Sequence, residues 1–207
     1  MSETNEAALS ERQLLRIERD EADNKTLFGF WIYVMTDCVL FASLFATYAV
    51  LHNNTFGGPG GQMLFSLPYA LKETLILLTS SFTCGLGLLA AKNRNRRQVI
   101  GWYVVTFCLG IAFLAMELSE FSKFAHGGNS WTRSGFLSSY FTLVGTHGLH
   151  ITLGLIWMLV MMVRLYQTGF NRHNIRHLTL LSIFWHFLDV VWIFIFSIVY
   201  LFGGIGI

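Results

Sequence analysis

The chain has 207 residues, of which 54% are hydrophobic and only 13% charged, and its mean hydropathy is +0.53. A soluble domain carries roughly 25% charge, and a fold of this size has no means of hiding so much apolar surface in water, which excludes a soluble globule, a disordered chain, a collagen and a disulfide-rich secreted module. A net charge of +2 gives a nucleic-acid partner no electrostatic support, and the composition leaves a polytopic helical membrane protein.

In chain order, residues 1–26 are rich in Glu, Asp and Arg, with no apolar core of a signal peptide before Leu27. They are expected to form a charged cytoplasmic tail. Leu14, Leu15 and Ile17 lie close enough to mark a short surface helix there, although its acids argue against tight binding to anionic lipid.

Residues 27–207 then read as one all-α transmembrane domain of five helices, with spans near 27–51, 68–91, 98–121, 135–165 and 178–203. The fourth, at about 46 Å as a helix, must tilt or project into water. Short connections separate the spans, and Gly57-Gly58-Pro59-Gly60-Gly61 lies in the first. No internal repeat or half-helix pattern of a transporter is present.

Orientation follows from Lys and Arg in the tails and loops. The tail has Arg12, Arg16, Arg19 and Lys25, the 52–67 loop none, and residues 92–97 have Lys92, Arg94, Arg96 and Arg97. Lys123 and Arg133 lie in the next loop, Arg164, Arg172 and Arg176 around the last, and none follows the fifth span. This alternation predicts an N-terminus inside the cell and a C-terminus outside.

Cys38, Cys84 and Cys108 all lie in apolar runs without metal-ligand spacing and read as buried thiols.

The ionisable residues within the spans carry the functional question, because each costs several kcal/mol unless paired. Asp37 lies mid-span in the first helix, His147 and His150 in the fourth, and His186 and Asp189 in the fifth. Glu73, Glu117 and Glu120 fall in the outer halves of the second and third. His147/His150 and His186/Asp189 are each i, i+3 pairs that share a helix face.

Three readings stand open on these residues alone: a haem or metal site, a proton path, or a satisfied interhelical hydrogen-bond network. The absence of a repeated Glu-x-x-His pattern favours the network. Gly85, Gly87, Gly145, Gly148 and Gly154 permit close helix approach. Arg164 reads either as a snorkelling topology charge or as a clamp for a lipid phosphate.

Gly145-Thr-His-Gly-Leu-His150 followed by Phe184-Trp-His-Phe-Leu-Asp-Val-Val-Trp192 resembles the third subunit of the haem–copper respiratory oxidases. Gly110-Ile-Ala-Phe113 with Glu117 and Glu120-Phe121, and Gly29-Phe-Trp through Asp37 to Phe45-Ala-Thr, are similar to two further helices of that family. The resemblance covers about residues 25–205 and the five-helix bacterial form. Aspartate at position 37, where many cytochrome c oxidases hold glutamate, is most similar to the cytochrome o ubiquinol oxidase branch. The third subunit of a bacterial cytochrome c oxidase is the alternative, and a free-standing cytochrome or metalloprotein using the histidines is a remote one.

The resemblance implies a proton-pumping terminal oxidase of the bacterial plasma membrane that oxidises ubiquinol and reduces dioxygen to water. Within it, haem and copper belong to subunit I. This chain carries no catalytic, cofactor-binding or metal site and does not itself bind ubiquinol. It packs with subunits I, II and IV, holds phospholipid in a cleft and supports proton uptake. Carried over by position, Asp37 is the buried carboxylate facing subunit I and Arg164 contacts a lipid phosphate. His147, His150, His186 and Asp189 form a polar network fixing the fourth helix against the fifth.

Overall fold

The computed structural model describes residues 2–58 and 60–203. The side chains of residues 2–12, 14–20, 22, 23 and 63 lie outside the description, so Arg12, Arg16, Arg19, Leu14, Leu15 and Ile17 do too.

Six α-helices follow in order: α1 (Ser2–Leu51), α2 (Gly61–Leu64), α3 (Leu67–Lys92), α4 (Arg96–His126), α5 (Gly135–Thr168) and α6 (Arg172–Ile195), with a π-helical segment, Phe196–Phe202, continuing α6. Among the described residues there is no strand. Five stretches are long and apolar enough to cross a bilayer: Asn24–Leu51, Leu67–Lys92, Arg96–His126, Gly135–Thr168 and Arg172–Phe202. The five predicted spans are therefore present. Several run past their predicted ends because polar flanking residues remain helical beyond the hydrocarbon, where Arg and Lys side chains snorkel to water. The predicted tail is not set apart by a break, since α1 begins at Ser2.

The chain divides into two compact units, Met1–Val39 and Leu40–Ile207. The first is the long N-terminal part of α1. An exposed pair, Lys25 with Glu21 at 3.7 Å, lies one turn apart on it.

The second unit is a bundle whose helix ends follow local chemistry. Pro68 sits in the first turn of α3, where its missing N–H costs nothing. Asn95 and Ser134 cap α4 and α5, accepting from the Gln98 and Leu137 amides. Gly169, at φ +66°, ends α5 in a conformation that favours glycine.

Small residues set the helix spacing. A Cβ on Gly110 would come within 2.8 Å of Leu155 and 2.9 Å of Trp185, which brings α4, α5 and α6 together. Gly87 and Gly154 are similarly closed by Tyr103 and by the Trp185 and Phe184 rings, while Gly85 and Gly145 meet only ordinary contacts. The outward faces are apolar: Phe82, Leu75, Ile156 and Phe194 are all more than half exposed, as lipid-facing residues must be.

Candidate functional site

Three groups of polar residues within the bundle bear on function. The first is built by α3. Its Thr74, Ser80 and Thr83 meet donors and acceptors from two other helices. Trp192 Nε1 donates to Thr74 Oγ1 at 3.1 Å, and Trp185 Nε1 donates to Ser80 Oγ at 3.2 Å. Ser80 Oγ in turn donates to the Thr106 carbonyl at 3.2 Å, and the Thr83 and Thr106 hydroxyls lie 2.8 Å apart. A continuous run of interhelical hydrogen bonds therefore joins α6, α3 and α4. Sequence reasoning missed it; the signal was the Thr/Ser spacing along an otherwise apolar span, with two indoles in the last helix.

The second group is the histidine layer. His147 is wholly buried and makes no hydrogen bond among the described residues. Its ring stacks on Trp192 at 5.4 Å and meets Phe113 edge-on at 6.0 Å. His150 and His186 each place Nδ1 on a carbonyl of their own helix, Thr146 at 2.8 Å and Ser182 at 2.6 Å. Asp189 lies beside Ser81 of α3. His150 and His186 thus bond back within their own helices, and His147 of α5 meets α6 through its stack on Trp192. A helix offers each imidazole a carbonyl one turn back, and that bond is made before a partner helix is needed. Among the described residues no group of three or more His, Cys, Asp and Glu is placed to hold a metal ion.

The third group was visible only as separate acids. Glu73 of α3 and Glu117 and Glu120 of α4 are all buried. Tyr200 OH donates to Glu120 Oε2 at 2.6 Å. The Tyr140 hydroxyl lies 2.9 Å from that of Tyr200 and 3.3 Å from the same carboxylate oxygen. Its single proton goes to one of the two. Glu73 and Glu117 have no hydrogen bond among the described residues. Glu117 rests against Gly148, where a Cβ would meet its Oε1 at 2.7 Å. The widened turn of the Phe196–Phe202 segment carries Tyr200 to this place. The arrangement is a hydrogen-bonded chain of phenols ending on a carboxylate, a set that can hold and pass protons.

Two predicted residues stand apart. Asp37, in the first unit, is hydrogen-bonded to Tyr33 one turn before it. Arg164, exposed near the end of α5, lies within electrostatic reach of His177.

Comparison with known proteins gives one family match. The model of the cytochrome c oxidase subunit III family matches residues 18–204. The chain is 54% identical to cytochrome bo(3) ubiquinol oxidase subunit 3 of Pseudomonas aeruginosa over 185 residues, covering 89% of this chain and 88% of that one. It is 50% identical to the protein of the same name from Pseudomonas putida, covering 88% of each chain. It is 44% identical to cytochrome c oxidase subunit 3 of Bacillus sp. strain PS3, covering 90% and 89%.

Proposed function

The chain belongs to the cytochrome c oxidase subunit III family, and from that premise we propose that it serves as the third subunit of a proton-pumping haem–copper ubiquinol oxidase in a bacterial plasma membrane. The observation that carries the reading is the 54% and 50% identity to two ubiquinol oxidase subunits, each over nearly nine-tenths of the chain. The oxidoreductase activity is that of the complex. Haem and copper, held by subunit I, supply the electron chemistry when bound there, and this chain contributes packing, lipid and proton handling.

On this reading Asp37 faces subunit I and keeps a titratable group beside its proton-uptake route. Arg164 holds a lipid phosphate by its planar fork of donors. Subunits I, II and IV are its protein partners. The tail and the 92–97 loop lie inside, following the basic residues. Residues 27–207 act as one transmembrane domain, and the histidine layer contributes aromatic packing between α5 and α6.

A cytochrome c oxidase is the second reading, supported by the 44% identity to the Bacillus subunit. Affinity purification of the tagged chain in mild detergent, followed by reduced-minus-oxidised spectra, separates the outcomes. Haem in the complex and none on the separated chain is expected. A co-purified second subunit without a dicopper centre marks the quinol branch, and a dicopper centre marks the other. Haem on the chain alone would overturn both.

A further inference from the structure

We propose that the seam between α4 and α5, where Arg96, Arg97 and Tyr166 meet, binds the phosphate of an anionic phospholipid. A cavity of about 500 Å³ opens there, lined by Arg96, Arg97, Ile100 and Tyr166. The Arg96 guanidinium donates to the Tyr166 carbonyl and lies 5.1 Å from the centre of the Tyr166 ring. One arginine is thus tied to α5 at the lining of the cavity. Arg97 beside it has no hydrogen bond or ion pair among the described residues and is exposed.

Charge and shape both select the ligand. Residues 92–101 and 160–178 together hold seven Lys and Arg and no Asp or Glu. Neither segment supplies an anion of its own, and a basic pocket between transmembrane helices suits an anionic headgroup. Below the cavity the wall turns apolar. Val104 follows Ile100 by one turn on α4, and Val163 and Leu159 precede Tyr166 at i−3 and i−7 on α5, each of these valines and the leucine 44–48% exposed. These spacings keep each set on one helix face. Two guanidiniums and a phenol at the water boundary, above a strip of exposed aliphatic side chains, match a phosphate joined to acyl chains.

This place is separate from Arg164. Positions 164 and 166 are two apart and point to different sides of α5. Arg164 addresses His177 of α6, whereas Tyr166 addresses Arg96 of α4. The inference requires only that the chain spans a membrane, so it does not depend on which donor the oxidase uses.

The test uses the full chain, and the oxidase complex containing it, each delipidated in neutral detergent. Each is titrated with phosphatidylglycerol and with phosphatidylcholine, and bound lipid is counted by native mass spectrometry. At the usual strength of a cation beside an anionic headgroup, Arg96→Gln with Arg97→Gln should weaken one phosphatidylglycerol site by roughly 30-fold. Phosphatidylcholine binding should not change. Arg164→Gln should leave this site intact, and the paired lysine replacements should keep most of the affinity. Arg97→Gln alone removes no hydrogen bond or ion pair among the described residues and should still cost about 5-fold, which covers the case of a misfolded double variant. Unchanged binding in the double variant would overturn the proposal. So would displacement of the lipid by inorganic phosphate at equal concentration, which would mean a site for free anions. A site present in the isolated chain but closed in the complex by an acidic segment of another subunit would overturn it as well.

Discussion

The phenol of Tyr200 decides how the Glu120 carboxylate is accommodated. It gives Glu120 its shortest hydrogen bond, 2.6 Å, at a depth where water does not compete. Tyr200→Phe leaves the carboxylate with Tyr140 alone and should cost about 1–3 kcal/mol, the penalty for a buried acceptor that loses its donor. Glu120→Gln should cost less, because its amide oxygen still accepts from Tyr200. Thermal inactivation of the purified complex gives the order, and a Gln variant less stable than the Phe variant would contradict the assignment of donor and acceptor. Asp37 obeys a different logic. Asp37→Asn retains shape and hydrogen bonding to Tyr33, so assembly should survive while turnover slows or inactivates sooner. Loss of the whole complex from the membrane would instead show that Asp37 is ionised and structurally paired.

Between elements, α3 carries much of the polar cohesion. Ser80 accepts from Trp185 and donates to the Thr106 carbonyl, so one hydroxyl ties α6 to α4. Ser80→Ala strands the Trp185 N–H and should cost about 1–2 kcal/mol by the usual worth of hydrogen bonds in membranes. Denaturant titration of the detergent-solubilised chain reads it, and a neutral result would remove α3 from that role. Gly148→Ala tests the α4–α5 approach, because its methyl must displace Glu117 from 2.7 Å. Such overpacking should cost about 1–3 kcal/mol. The five spans were legible because apolar length alone forces a helix in lipid. Close approach at Gly87, Gly148 and Gly154 was legible because small residues permit it. The Glu120–Tyr140–Tyr200 chain was not, since it joins three distant segments, one of which is a π-helical turn with no evident sequence mark. The histidine motif was legible as a motif but not as geometry. Sequence spacing places His147 and His150 on one face without saying that one stacks on Trp192 while the other bonds back to Thr146.

At the scale of the molecule, basic residues and apolar surface together fix how the chain must sit in a bilayer. The 52–67 connection has no Lys or Arg, whereas residues 92–97 have four. A chain oriented by these charges puts the first connection outside and the second inside. Thr55→Cys should therefore react with a membrane-impermeant maleimide on intact cells, and Asn93→Cys only on inside-out vesicles. The native thiols do not confuse the reading. Cys84 is buried, and Cys38 and Cys108, though exposed on the chain, lie within spans where hydrocarbon excludes a charged reagent. The reverse labelling pattern would place Arg96, Arg97 and Arg164 outside. It would show that contacts with the other subunits, and not the charges of this chain, set its direction of insertion.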